Sequence, residues 1–116
     1  MSNMQTMLKS KISGLKVTNV TTKCDGSISI PRDLMNRAFI IKYEQVHVLD
    51  VTNGNRFITY AIDNKDDEVV VMGAAAKLCN VGDNLIILTY MLVDSEDIYN
   101  YSKNYPKIVN NGRYIK

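Results

Sequence analysis

Asn53-Gly54 stands between two runs of β-forming residues, Gln45–Val51 and Arg56–Ile62. No other short segment constrains the fold as much. Asparagine and glycine both tolerate the positive φ that a two-residue type I′ hairpin turn needs, so the spacing predicts an antiparallel hairpin. In the first run Val46 and Val48 share one face, and His47, Leu49 and Val51 share the other. A strand that is apolar on both faces belongs in a barrel or between layers.

The same pattern recurs along the chain. Lys11–Val20 is rich in β-branched residues and is interrupted by Gly14. Glu68–Met72 follows the polar turn Asn64-Lys65-Asp66-Asp67, and Asn84–Val93 follows Val81-Gly82-Asp83. Asn111-Gly112 separates Lys107–Val109 from Tyr114–Ile115, which reads as a second small hairpin. Helical signals are short: Pro31 to about Ala38, one or two turns over Gly73–Leu78, and a capped turn from Asp94 or Ser95 through Tyr101, ended before Pro106. Many short strands with turns between them predict a mainly β fold, a small barrel or sandwich. At 116 residues the chain is expected to form a single domain, 1–116.

Composition narrows the function. Fourteen basic and twelve acidic side chains leave a net charge of +2, which gives no electrostatic reason to bind nucleic acid. The longest apolar run, Leu85–Val93, falls far short of the ~18–20 residues that span a bilayer. Met1–Thr6 has no charged region followed by an apolar one, so no signal peptide is expected. Cys24 and Cys79 lack a metal-binding spacing, and His47 is the single histidine, so no metal site is expected. Free thiols fit a cytoplasmic protein.

Three segments have the residue types for chemistry. Asp25-Gly26-Ser27 follows a β run. Glycine leaves its carbonyl carbon open and permits strained backbone, so the Ser27 hydroxyl can attack the Gly26 carbonyl and turn the amide into an ester. Elimination at Ser27 then cuts the chain, and hydrolysis with loss of ammonia leaves a pyruvoyl group. In Arg56-Phe57-Ile58-Thr59-Tyr60 the period of two puts Arg56, Ile58 and Tyr60 on one face and Thr59 on the other. By strand rise Arg56 and Tyr60 are ~13 Å apart, a spacing from which both can reach one pocket. An arginine fork grips a carboxylate, and a tyrosine hydroxyl delivers a proton. In Met72-Gly73-Ala74-Ala75-Ala76 small side chains let backbone N–H groups approach a ligand. Taken singly, each segment also reads as ordinary turn, cross-strand or crossover structure.

In this order and spacing the segments resemble the pyruvoyl-dependent aspartate decarboxylase family. The resemblance runs from Met7-Leu8-Lys9-Ser10-Lys11-Ile12 to about Tyr90. It rests on Lys16-Val17-Thr18, Asp25-Gly26-Ser27, Val51–Ile62, Gly73-Ala74-Ala75-Ala76 and Val81-Gly82-Asp83. It implies a double-psi β-barrel with short helices, assembled as a homotetramer with active sites between subunits. It implies autocatalytic cleavage between Gly26 and Ser27 into chains 1–26 and 27–116, with Ser27 the precursor of the covalent pyruvoyl cofactor. That group would form a Schiff base with L-aspartate, which loses CO2 to give β-alanine for pantothenate biosynthesis. Lys11 and Arg56 then correspond to the residues that hold substrate carboxylates, Tyr60 to the proton donor, and Thr59 to a threonine used in processing and at the substrate. Gly73, Ala74 and Ala75 correspond to the segment that lines the pocket. The chain departs from the family at Ser13, usually histidine; at Cys24, usually tyrosine; and at Met72, usually asparagine.

Two alternatives follow from the same residues. Asp25–Leu34 is also similar to the swapped-hairpin DNA-binding modules of the AbrB type, although the basic residues are dispersed and Arg56–Tyr60 has no role there. An unprocessed, inactive relative is the other.

Overall fold

The computed structural model describes residues 3–23 and 26–111. The strands are β1 (Met4–Lys16), β2 (Asn19–Thr21), β3 (Gly26–Pro31), β4 (Gln45–Asp50), β5 (Arg56–Asn64), β6 (Val70–Gly73), β7 (Asn84–Asp94) and β8 (Lys107–Asn110). Two short helices, α1 (Arg32–Arg37) and α2 (Ile98–Asn104), and 3-10 turns at Ala74–Leu78 and Ser95–Asp97 complete the described chain. The strands form one eight-stranded sheet in the order β2-β6-β3-β5-β4-β7-β1-β8. This is the expected mainly β barrel with short helices. Among the described residues no helix is long and apolar enough to cross a membrane.

Alternation builds the core. Val46 and Val48 from β4, Leu85 and Ile87 from β7, Ile12 and Leu15 from β1, Ile28 and Ile30 from β3 and Val71 from β6 are fully buried. Each such side chain contributes roughly 1.5–3 kcal/mol of burial. β1 and β7 form the longest antiparallel pair, from Met4↔Asp94 to Lys16↔Asn84, and a buried Ser10–Thr89 hydroxyl pair ties them. Lys9 clips β1 to the loop before β4 through an ion pair with Glu44 and a 2.8 Å hydrogen bond to the Phe39 carbonyl. Arg32 holds α1 to β5 by donating to the Asp63 carboxylate at 2.5 Å, and that contact lowers the Asp63 pKa below the ordinary carboxylate range.

The structure revises several expectations. β1 starts at Met4, earlier than the run read from Lys11, and that run breaks into β1 and β2. The register shifts between Ile12 and Leu15, where Gly14 adopts φ +77°. Gly26 and Ser27, read as part of a turn after a β run, instead open a strand, Gly26–Pro31, that lies between β5 and β6. Pro31 ends that strand, and the helix begins one residue later. The Asn-Gly hairpin exists, but its loop is longer than a type I′ turn. Leu49 pairs with Arg56, Gly54 N–H donates to the Asp50 carbonyl at 2.8 Å, and of the Asn53-Gly54 pair only Gly54 has positive φ. β8 pairs in parallel with β1, Lys11 opposite Ile108. The Tyr114–Ile115 partner expected for it lies outside the described residues.

Candidate active site

Gly26 and Ser27 open β3 beside β6, with Gly26 opposite Gly73 and Ser27 opposite Met72. Gly26 has φ +134° and Gly73 has φ +74°. Neither value is comfortable for a residue with a Cβ, so two facing glycines hold strained backbone at the start of the strand. Space is not the constraint at Gly26, since an added Cβ would meet the Met72 carbonyl oxygen at an ordinary 3.9 Å. Ser27 is buried, and its hydroxyl points to the Met72 thioether at 3.9 Å. A thioether is a weak acceptor, so among the described residues the hydroxyl has no strong side-chain partner.

Next to Gly26 lies a cavity of about 320 Å³. Its walls include Phe57, Ile58 and Thr59 from β5 and Ala74, Ala75 and Leu78 from the 3-10 turn. The sequence pointed to Gly26, Thr59, Ala74 and Ala75, and the structure brings these four together. Phe57, Ile58 and Leu78 were not foreseen as walls; Phe57 shares its strand face with Thr59, which was the available signal.

The other expected residues stand elsewhere. Exposure along β5 alternates as read, with Arg56, Ile58 and Tyr60 outward. The register places Lys11 opposite Leu88, Leu88 opposite His47 and His47 opposite Ile58. Lys11 therefore shares a sheet face with Arg56 and Tyr60, three strands from Ile58, or ~14 Å. None of the three lines the Gly26 cavity. Arg56 makes no ion pair among the described residues, and Tyr60 is ringed only by Tyr43, centroids 6.0 Å apart. A hollow of about 370 Å³ between Glu44, His47 and Tyr90 marks the same face, where His47 Nδ1 is buried without a partner among the described residues. The expected residues thus fall into two groups, a cavity beside Gly26 and an outward face with Lys11, Arg56 and Tyr60, and Ile58 borders both.

Two of the departures fall within the described residues. Met72 is the residue facing Ser27, and Ser13 pairs with Asn110 of β8. Cys24 lies outside them. The acidic group at 94–97 is a cap: Asp94 accepts the Glu96 N–H at 3.0 Å. No cluster of metal-binding side chains occurs among the described residues.

Comparison with known proteins meets this geometry. The family model described as aspartate decarboxylase matches residues 3–113. The match runs through Arg56–Tyr60 and Gly73–Ala76, the segments without a role in a DNA-binding module. Among curated proteins the chain is similar to aspartate 1-decarboxylase of Thermoanaerobacter pseudethanolicus, 43% identical over 105 residues, covering 89% of this chain and 87% of the relative. It is similar to that of Dehalococcoides mccartyi, 41% identical with 84% and 81% covered, and to that of Campylobacter hominis, 38% identical with 89% and 88% covered. With a glycine at positive φ before the serine, a cavity beside it and matches of this extent, the chain belongs to the aspartate decarboxylase family and is a decarboxylase.

Proposed function

We propose that the chain cuts itself between Gly26 and Ser27, converts Ser27 to a pyruvoyl group and decarboxylates L-aspartate to β-alanine for pantothenate synthesis in the cytoplasm, as a homotetramer. The observation that carries this reading is the buried Ser27 hydroxyl, held among the described residues only by the Met72 thioether, adjoining a glycine at φ +134°. The residues fit a ketone made in place. The serine needs no displacement by a diffusing cofactor, the preceding carbonyl belongs to a residue without a side chain, and the cavity alongside is open on its Gly26, Ala74 and Ala75 side, with Phe57, Ile58 and Leu78 as its bulky walls.

The processing step balances within the chain and one water. Ser27 Oγ bonds to the Gly26 carbonyl carbon as the Gly26–Ser27 C–N bond breaks, leaving an ester and a free amine. Loss of the Ser27 α-proton and cleavage of its Cβ–O bond release the Gly26 carboxylate. Water then replaces the nitrogen, which leaves as ammonia. Thr59, which lines the same cavity as Gly26, steadies the carbonyl oxygen during attack in this reading.

Once formed, the ketone supplies an electron sink for the pair left when CO2 departs. The protein's own groups do the rest. Arg56, aided by Lys11, grips one substrate carboxylate and leaves the other free to leave. Tyr60 donates the proton that Cα regains. Gly73, Ala74 and Ala75 admit the substrate against backbone. Because Lys11, Arg56 and Tyr60 occupy an outward face and none of them lines the cavity, which meets that face at Ile58, the reading has two half-sites, with one copy supplying the pocket and another the cations. Exposed Ile58 and Ile108 on that face support burial against a second copy.

Intact-mass spectrometry tests the reading. Two fragments are expected, 1–26 and 27–116, the larger lighter by one ammonia than hydrolysis alone gives. A single uncut chain in active protein would overturn it, and an uncut chain in inactive protein would mark an unprocessed relative. Tyr60→Phe should cleave to the same two masses yet lose about 10²–10⁴-fold in turnover, the usual range for a lost general acid. Unchanged turnover would assign the proton to another group.

A further inference from the structure

Asp50, Asp83 and Cys79 form a buried cluster under the Asn-Gly hairpin, away from the Gly26 cavity; they are 1%, 6% and 4% exposed. Asp50 ends β4 in phase with the buried Val46 and Val48. Its Oδ1 accepts the N–H groups of Thr52 at 2.9 Å and Asn53 at 3.3 Å, which shapes the loop. Its Oδ2 is buried and receives no hydrogen bond from any described N–H or hydroxyl. The carboxyl that Asp50 meets is Asp83, whose Oδ2 accepts the Asn80 N–H at 2.9 Å. Neither aspartate makes an ion pair with a cation among the described residues. Two buried carboxylates in contact repel; one proton between them makes a hydrogen bond.

The groups facing Asp50 come from three places. The hairpin supplies only backbone amides, the segment before β7 supplies Asp83, and the segment after the 3-10 turn supplies Cys79. Lys77 and Arg56, the cations nearest in sequence, are both exposed. Burial, with the two carboxyls beside it, pushes the Cys79 thiol up to about 12, so it remains a proton donor toward Asp50 and not a competing anion. Burial first, and the Asp83 contact second, likewise raise the Asp50 carboxyl above its ordinary range.

The cluster joins two parts of the active site. Asn53 and Asn55, in the hairpin loop, both donate side-chain N–H to the Leu78 carbonyl, at 3.0 and 2.9 Å. Leu78 is a wall of the Gly26 cavity, and Arg56 follows Asn55 directly. Asn84 N–H donates to Thr52 Oγ1 at 2.9 Å on the other side of the loop. We propose that Asp50 and Asp83 share one proton, and that this proton fastens the hairpin carrying Arg56 to the segment closing the cavity, making both aspartates positioning residues for substrate binding. The part that concerns Arg56 rests on its proposed role as carboxylate anchor.

The sign of the pH effect follows. A carboxyl that binds its proton more tightly folded than unfolded gives its full stabilisation in acid and loses it as pH rises through the raised value. The fastening therefore loosens upward from the ordinary carboxylate range. Asp50→Asn replaces the proton with an amide N–H that can donate to Asp83, while its carbonyl oxygen still accepts from Thr52 and Asn53.

Two measurements on the processed enzyme, wild type against Asp50→Asn, test this across pH. The first is amide exchange at Thr52 and Asn53, corrected for intrinsic base catalysis. Protection should fall with pH in the wild type and stay level in the variant. The second is the KM for aspartate; titration of aspartate's own amine enters both enzymes alike. The ratio of wild-type to variant KM should rise with pH by about 3- to 10-fold, one proton setting the limit of tenfold per unit. Superimposable exchange profiles would overturn the shared proton. Level KM ratios alongside diverging exchange would overturn the positioning of Arg56, and an Arg56→Ala enzyme with unaltered KM would separately overturn the anchor reading. Should Asp50→Asn fail to fold, Asp83→Asn makes the mirror exchange and takes the same outcomes.

Discussion

Ser27→Ala is expected to yield one intact chain of 116 residues with no decarboxylase activity. The hydroxyl is both the attacking group and, once esterified, the oxygen that leaves Cβ in the elimination, so its removal stops processing at the first bond and leaves no electron sink. The loss is expected to be complete within detection. Folding should survive. Ser27 is buried, but among the described residues its hydroxyl meets only the Met72 thioether at 3.9 Å, and removing so weak a contact costs at most about 1 kcal/mol. A thermal melt beside the mass spectrum separates the two effects: an unshifted melt with an uncut chain assigns the loss to chemistry. Turnover in the uncut variant would place the carbonyl group elsewhere. Restoring the hydroxyl one residue earlier, as Gly26→Ser with Ser27→Ala, should not rescue activity, because a side chain at φ +134° is strained and the new hydroxyl has a different carbonyl before it.

What the sequence made legible follows from the range of each interaction. Alternation over a few residues is local, so the outward set Arg56, Ile58 and Tyr60 and the inward Thr59 were readable from a period of two. Glycine's freedom is local as well, and Gly26 and Gly73 mark the strained positions they suggest. The strand Gly26–Pro31 was not legible. Its central Ile28 and Ile30 alternate with buried Ser27 and Ser29, and serines read as turn residues until both faces of the strand are seen to be covered, by β5 and β6 at its edges and the core beneath. The hairpin was legible, but its loop was not, because Asp50 sets the loop by accepting two amides and the phase that buries it with Val46 and Val48 went unused. Lys11 was matched by resemblance alone. Its place on the Arg56 face depends on the register of three strand pairs, information no single segment contains. The Asp50–Asp83–Cys79 cluster is of this kind too, since its members are brought together only when two loops meet.

Arg56→Ala should cut itself to the same two fragments as the wild type and lose most aspartate turnover. The separation of the two readouts is the point of the experiment. Arg56 does not line the cavity beside Gly26, so the processing bond does not sense it; it stands exposed at the start of β5, opposite Leu49, without an ion pair among the described residues. An exposed side chain of this kind changes stability by no more than about 0.5 kcal/mol when removed. A desolvated, hydrogen-bonded charge pair to a substrate carboxylate is worth about 2–5 kcal/mol, which predicts a fall of roughly 30- to 5,000-fold in kcat/KM. If the contact is equally strong before and during loss of CO2 the fall appears in KM; if Arg56 aligns the departing carboxylate it appears in kcat as well. Arg56→Lys keeps the charge but loses the fork, and should recover only part of the rate. The discrimination between aspartate and an amino acid with a neutral side chain should shrink in Arg56→Ala, because the anchor that distinguishes them is gone. Turnover equal to wild type would remove Arg56 from the site. An uncut chain would instead tie the outward face to processing, which would mean that the two half-sites are already joined, across neighbouring copies, before the serine bond breaks.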